Sequence, residues 1–520
     1  MAKNIKKNYI FNVTYQILVL IIPLVTIPYL ARILQPEAVG ILSYSESIVS
    51  YFSLFAVLGT TVYAQREIGK VQDSPEVRSK VFWEIQIVRT ISGLIAIAAY
   101  IVYVFVVNTN FVVCMVLTLE IFNIIVDITW FYQGLEDFRF TVICGLIGRI
   151  LGLVFIFIFV KSPDDLWLYA LSKGGISVLV NLIMWALLPK YLRKVSGVKP
   201  FKHIKTIVSF FIPAIASQVY MILDKSMIGW MTSTRVENGY YEYADKIIRI
   251  SIVVISSLAA VLIPRVSKAY ADGDNETVKN IVYQAIRYVW LIGIPIMTGF
   301  ITVADVFVPV YLGEGFEKSA ELMKIFAPIV VIVGMANIIG LSFLIPINKQ
   351  NVYLVSVVVA AVINLGLNFL LIPKLYSVGA AIASVAAEFI SICIQIGYIF
   401  KKKLLRAKNV FLPSIKYLIA ALIMFAAVYA VKKVLPVNVW ALLALIAIGI
   451  VVYFTFLFIL RDSFTIEFTK KVFAKIRSTL VGRAAKTSAP ADGESVQGEN
   501  GESGVSGGAN GEEGKKDKEE

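Results

Sequence analysis

VWALLALIAIGIVVYFTFLFIL, residues 439–460, is the stretch on which the fold turns, because its 22 residues carry no charge. As a helix rising 1.5 Å per residue it is about 33 Å long, enough to cross a hydrocarbon core of about 30 Å. A membrane-barrel strand would alternate apolar and polar side chains, and neither this run nor IVVISSLAAVLI (252–263) does so. Windows of the same kind recur along the chain. They give fourteen candidate spans near 10–32, 40–64, 82–107, 111–132, 141–160, 166–189, 207–231, 246–264, 284–310, 325–346, 353–373, 378–400, 411–434 and 437–461. Composition agrees: 58% of the 520 residues are hydrophobic and 16% charged, against about 25% charged in soluble domains. That excludes a soluble protein and predicts an all-α polytopic membrane protein.

Loop charge sets the orientation. The N-terminus, every second loop and residues 461–486 hold 30 Lys and Arg, whereas the opposite loops hold seven, or eight with Arg32. Bases are retained on the cytoplasmic side, so both termini are expected there, which an even number of spans satisfies. The basic MAKNIKK leads into a span-length stretch, so no cleavable signal is expected. Residues 462–486 read as a basic amphipathic segment on the cytoplasmic leaflet, and 487–520, with nine acids and three lysines, as a disordered acidic tail. The formal charge of +14 therefore understates how basic the membrane part is. Cys114, Cys144 and Cys393 lie in apolar spans and point to neither a disulfide framework nor a metal site, and His203 reads as a loop residue.

A faint internal repeat organises the rest. At an offset of 199 residues Gly40 matches Gly239, Tyr44 matches Tyr243, Glu46 matches Asp245, Arg66 matches Arg265, Asp73 matches Asp272 and Lys80 matches Lys279. The pairs bracket the second and eighth spans, which run in the same direction, so the repeat is parallel. It predicts two pseudo-symmetric six-helix lobes, 1–200 and 201–405, with 406–461 adding two C-terminal helices. A cleft between two such lobes is how alternating-access carriers are built.

Charges at membrane depth mark the cleft, since each costs about 2.5–3.5 kcal/mol near a helix centre. Five cations qualify: Arg89, Arg149, Lys173, Lys225 and Arg249. They predict a hydrated, net-positive cleft that selects anionic cargo, with Arg89 and Arg149 best suited to bidentate phosphate contacts. Glu46, Asp127, Asp224, Asp245 and Glu388 accompany them as ion-pair partners or as sites that couple a proton or cation. Glu120 and Asp127, with Asn123 between them, give the fourth span a polar stripe. Trp130, Phe131 and Tyr132, with Tyr240, Tyr241 and Tyr243, read as interfacial anchors. Prolines at 23, 28, 213, 295, 309, 328 and 346 permit kinks.

The runs DITWFYQGLEDFRF (127–140), YADKIIRI (243–250), PRVSKAYADGD (264–274) and NKQNVYLVSVVVAAVINLGLNFLLIPKLYSVGAAIASVAAEFI (348–390) resemble the polysaccharide biosynthesis (Wzx-type) flippases. That family belongs to the superfamily of the MATE antiporters and lipid II flippases, and the resemblance covers roughly residues 8–460. It implies a MATE-like fold of fourteen helices. The implied activity moves undecaprenyl-diphosphate-linked oligosaccharide repeat units to the outer leaflet of a bacterial cell membrane. Basic cleft residues would meet the diphosphate, and the five cations fit by chemistry and depth.

A lipid-linked oligosaccharide flippase is therefore the leading expectation, a transporter and not an enzyme. Lipid II as cargo and a MATE-type drug or cation antiporter are the alternatives, and a membrane glycan polymerase or ligase is disfavoured by the short outer loops. Expected partners are the lipid-linked oligosaccharide and membrane lipids, with a polysaccharide polymerase and glycosyltransferases next to them in the process. No cofactor or metal is expected, since the chain has neither a GxxxxGK[ST] loop nor zinc-ligand spacing. The basic loops 190–206 and 401–408 follow the positive-inside pattern and do not signal nucleic acid.

Overall fold

The computed structural model describes the backbone over residues 2–107 and 110–470, and side chains from residue 21 on except 212–214, 216, 217, 220 and 260. No strand occurs among the described residues. The first half comprises α1 (Ala2–Val57), α2 (Thr60–Lys70), α3 (Pro75–Val107), α4 (Phe111–Val126), α5 (Thr129–Gly134), α6 (Phe138–Phe159) and α7 (Leu166–Leu187). A linker leads to α8 (Ile204–Met231), α9 (Val236–Ala271), α10 (Asn275–Tyr311), α11 (Glu317–Phe326), α12 (Ile329–Ala336), a π-helical stretch at Asn337–Leu344, α13 (Gln350–Leu375) and α14 (Ser377–Lys401). The short α15 (Ala407–Phe411) precedes α16 (Ser414–Lys432) and α17 (Val439–Ile459), which pack on each other and on α10.

Twelve helical runs among the described residues are long and apolar enough to cross a membrane, against the fourteen expected spans. The first of the twelve, Ile21–Lys70, takes in the second expected span and residues 21–32 of the first, and α8, in the place of the seventh, is not among them. Where a loop is expected between the first two spans, α1 breaks at one residue, Gln35, with φ 59° and ψ 167°. Pro36 is the cause: its ring disfavours a helical ψ on the residue before it and it has no N–H to continue the ladder. Gln35 Nε2 donates to Arg32 O at 2.9 Å and so caps the helix it ends.

The two halves meet along α1 and α9. A Cβ on Gly40 would strike the carbonyl oxygen of Arg235, and a Cβ on Gly239 would strike that of Pro36, so side chains are excluded at both positions. One turn on, Ser43 Oγ donates to Glu242 Oε2 at 2.7 Å, a pair 199 residues apart. The repeat mates thus pack on one another, as in a two-fold interface where each surface meets its own copy. Two further contacts join the halves at this end: Arg32 Nη2 donates to Val310 O at 2.7 Å, and the Arg235 guanidinium lies 4.2 Å over the Tyr44 ring.

Two features depart from the sequence reading. Trp130, Phe131 and Tyr132 are fully buried and pack with Phe82 and Val88 in one core cluster, and Tyr241 and Tyr243 are also buried, so these aromatics are core and not interfacial anchors. His203 is likewise buried. Its Nε2 lies 2.9 Å from Glu84 Oε2 and its Nδ1 2.5 Å from the Tyr63 hydroxyl, while Lys199 N–H and Lys202 Nζ also donate to Glu84, at 2.9 and 2.6 Å. The linker is thereby tied to the first half by a carboxylate with no solvent exposure. Residues from Ser463 form a separate unit, helical from 463 to 470; the rest of the basic segment and the acidic tail lie outside the described residues.

The glycine contact is directly testable. Cysteines at Ser43 and Glu242 are expected to be joined by a short bifunctional thiol reagent. Adding Gly40→Val or Gly239→Val should cut that cross-linking several-fold by separating the helices; unchanged cross-linking would show that the close approach is not needed.

Candidate functional site

Three cavities among the described residues of the helical unit bear on the site. The largest, about 850 Å³, sits among α1, α4, α6 and α7 and is lined by Asn123, Asp127, Thr129, Gln133, Arg149, Tyr169, Ser172, Lys173, Ser177 and Asn181. Small residues of α6, Gly145, Gly148 and Gly152, make room on the Arg149 side. A second, about 530 Å³, lies among α1, α4, α7 and α8, with Ser50, Ser53, Glu120, Asn123, Lys173, Ser177 and Gln218 on its wall. Lys173, Asn123 and Ser177 border both. The third, about 230 Å³, belongs to the second half and is lined by Asp224, Asp245, Arg249, Asn337, Tyr353, Ser384, Glu388 and Gln395, among others.

Of the five sequence-predicted cations, Arg149 and Lys173 face the large cavity and Arg249 the third. Lys173 is ion-paired with Glu46. Lys225 Nζ lies 2.8 Å from Glu242 and 3.7 Å from Asp245, and Arg249 Nε lies 2.7 Å from Asp245 one turn away on the same helix. Arg89 is placed differently. It is 1% exposed and its donors are taken by protein: Nε by Ile124 O at 2.7 Å, Nη1 by Thr60 and Thr61 hydroxyls at 3.2 and 3.1 Å, and Nη2 by Asp127 at 3.1 Å. Asp127 in turn accepts from the Thr129 backbone N–H at 2.9 Å, holding the start of α5. Arg89 is thus a packing group that fixes α3 to α4 and lines none of the three cavities.

Among the acids, Asp224 is held by neutral donors. The Tyr241 hydroxyl donates at 2.6 Å, Asn368 Nδ2 at 2.6 Å, and the Ser384 hydroxyl also donates to it. Glu388 lines the third cavity with Asp245 and Arg249.

Two members of the site escaped the sequence reading. Glu242, 4% exposed, accepts from Ser43, Lys225 and Lys246, the last at 2.6 Å. Both were assigned to a loop and the edge of a span; α9 instead starts at Val236, ten residues before Lys246. The available signal was the repeat, which pairs Glu242 with Ser43. With these included, six cations (Arg89, Arg149, Lys173, Lys225, Lys246, Arg249) stand against seven carboxylates (Glu46, Glu120, Asp127, Asp224, Glu242, Asp245, Glu388). The expectation of a net-positive cleft is therefore corrected: the buried carboxylates outnumber the cations by one, and most of the cations are paired with them, because an unpaired ion far from water costs several kcal/mol.

The chain is thus a helical membrane protein whose halves meet around paired buried charges. Comparison with known proteins is consistent with that class. Residues 5–270, just over half of the chain, match the family model described as polysaccharide biosynthesis protein, and the chain belongs to that family. It is 21% identical over 413 residues to a protein of Escherichia coli strain K12 named "Putative O-antigen transporter", covering 77% of this chain and 98% of that one. Among solved structures, lipid II flippase MurJ in an inward closed conformation superposes with a TM-score of 0.71 at 17% identity, over 87% of this chain and 99% of that one. An inward-facing multidrug resistance MATE family transporter of the MOP superfamily gives 0.57 at 14% identity, over 74% and 98%. The fold is that of the MurJ and MATE transporters.

The placement of Arg89 carries its own test. Arg89→Ala strands Asp127 and the Ile124 carbonyl, so it should lower stability by about 3 kcal/mol, the low end for breaking a buried pair because Asp127 keeps some exposure. Thermal unfolding in detergent reads this. A variant with wild-type stability and selectively lost transport would overturn the packing role.

Proposed function

We propose that the chain moves undecaprenyl-diphosphate-linked oligosaccharide repeat units from the inner to the outer leaflet of a bacterial cell membrane, by alternating access between two lobes, 1–200 and 201–405. The observation that carries this reading is the cavity of about 850 Å³ in which Arg149 and Lys173 stand among amides and hydroxyls. Guanidinium and ammonium suit phosphate oxygens; Asn123, Gln133, Asn181 and Tyr169 suit sugar hydroxyls. The isoprenoid stays in lipid. In this reading both termini are cytoplasmic, so the Gly40–Gly239 contact closes the outer end. Glycosyltransferases supply the cargo and a polymerase consumes it. The chain itself is a transporter and not an enzyme.

Asp224, Asp245 and Glu388 are the acids placed to couple an ion to the second lobe, since they share a cavity with Arg249. Lys225 acts beside them by holding Glu242. A cation antiporter is less well supported, because Arg149 and Lys173 face the large cavity against one carboxylate, Asp127, which Arg89 holds.

Deletion of the gene tests the reading. Lipid-linked glycan should accumulate on the cytoplasmic face and be cleared by the wild-type gene. Arg149→Ala and Lys173→Ala should each reduce export about tenfold, the value of one charge-assisted contact of about 1.4 kcal/mol. Normal export of every surface glycan, together with new sensitivity to cationic drugs, would replace the flippase by an antiporter.

A further inference from the structure

The cavity of about 530 Å³ holds a carboxylate that the transport reading leaves unused: Glu120 shares its wall with Lys173. Lys173, on α7, is ion-paired with Glu46 of α1, and Glu120 of α4 lines the same cavity as Lys173. One ammonium therefore faces two carboxylates. No hydrogen bond from a described residue reaches the Glu120 carboxylate, which instead lines the cavity wall together with Lys173. The other elements around it add no free cation. From α3, Arg89 is committed to Ile124 O and Asp127, and the Tyr100 hydroxyl donates to Cys114 O at 3.0 Å. From α7 comes the Tyr169 hydroxyl, from α8 the uncharged Gln218, and across the cleft Lys246 of α9 is paired with Glu242.

We propose that Glu120 is a proton-binding site whose occupancy is linked to phosphate binding at Lys173. With Glu46 and Glu120 both ionised, the ammonium is already outnumbered, and an entering phosphate would add anionic charge beside them. Like charges crowded at one site disfavour each other's ionised form, so the cheapest relief is a proton on the carboxylate that no described residue hydrogen-bonds. Water in the cavity supplies that proton to a Glu120 oxygen; the proton arrives with the phosphate and leaves with it. The linkage is reciprocal: phosphate favours the proton, and the proton favours phosphate. Glu46 keeps its ion pair throughout, and the cavity, not the packed interior, holds the exchanging group. This inference rests on the flippase reading for the identity of the anionic cargo.

The test uses the full chain in lipid nanodiscs with farnesyl diphosphate as probe. Calorimetry in two buffers of different ionisation enthalpy should register up to one proton taken up per diphosphate bound. Affinity should rise as pH falls, with a limiting slope of about tenfold per pH unit. Glu120→Gln, which imitates the protonated acid, should bind with the affinity the wild type reaches at low pH, show no slope and take up no proton; Glu120→Asp should restore the slope. Diphosphate binding without proton uptake by the wild type, or a slope retained in Glu120→Gln, overturns the inference and leaves the flippase reading standing. No binding of the diphosphate at any pH overturns both. The wild-type measurement decides the matter even where a variant fails to fold.

Discussion

Between α1 and α9 two backbones approach so closely that neither Gly40 nor Gly239 has room for a Cβ. Other contacts that join the halves at this end lie around it. Ser43 meets Glu242, Arg235 sits over Tyr44 and Arg32 lies beside the end of α10. Because the two glycines are repeat mates, the contact is self-complementary. Small residues allow close helix contact in a bilayer, where lipid tails are as apolar as leucine and burial alone does not drive helices together.

The second constraint is charge. Water is scarce at membrane depth, so each ionised group needs a partner or a cavity. Arg89 is satisfied entirely by protein, Glu242 by two lysines and a serine, and Asp224 by hydroxyls and an amide. Arg149, Lys173, Glu120, Arg249 and Glu388 lie on cavity walls, where a ligand has access to them. This crowding gives the proposed linkage its physical basis: a phosphate bound at Lys173, as proposed, would change the proton occupancy of a neighbouring carboxylate.

Much of this was legible in the chain. Apolar windows identified the helices, and the offset of 199 identified the pair that later proved to be in contact. The candidate site was legible only in part. Glu46, Lys173, Asp245 and Arg249 were singled out by charge at depth, and each sits on a cavity wall or pairs with a group that does. Arg89 had the same signature and a different fate, since nothing local to it says that Asp127, 38 residues on, and the Ile124 carbonyl will fill its donors. Glu242 and Lys246 were hidden by a helix start misplaced by ten residues. His203 was hidden by lying in a lysine-rich loop, although that loop carries it to Glu84.

Composition and periodicity are local properties, and a membrane helix satisfies its backbone within itself, so residue order alone was enough for helix, class and family resemblance. Partner choice is not local. Whether a buried cation meets cargo or another helix depends on which side chains lie within about 3 Å of it after packing, over separations such as the 127 residues between Glu46 and Lys173. Only the tertiary structure assigned Arg89 to packing, Lys173 to the wall between two cavities, and Glu120 to the wall of the smaller one.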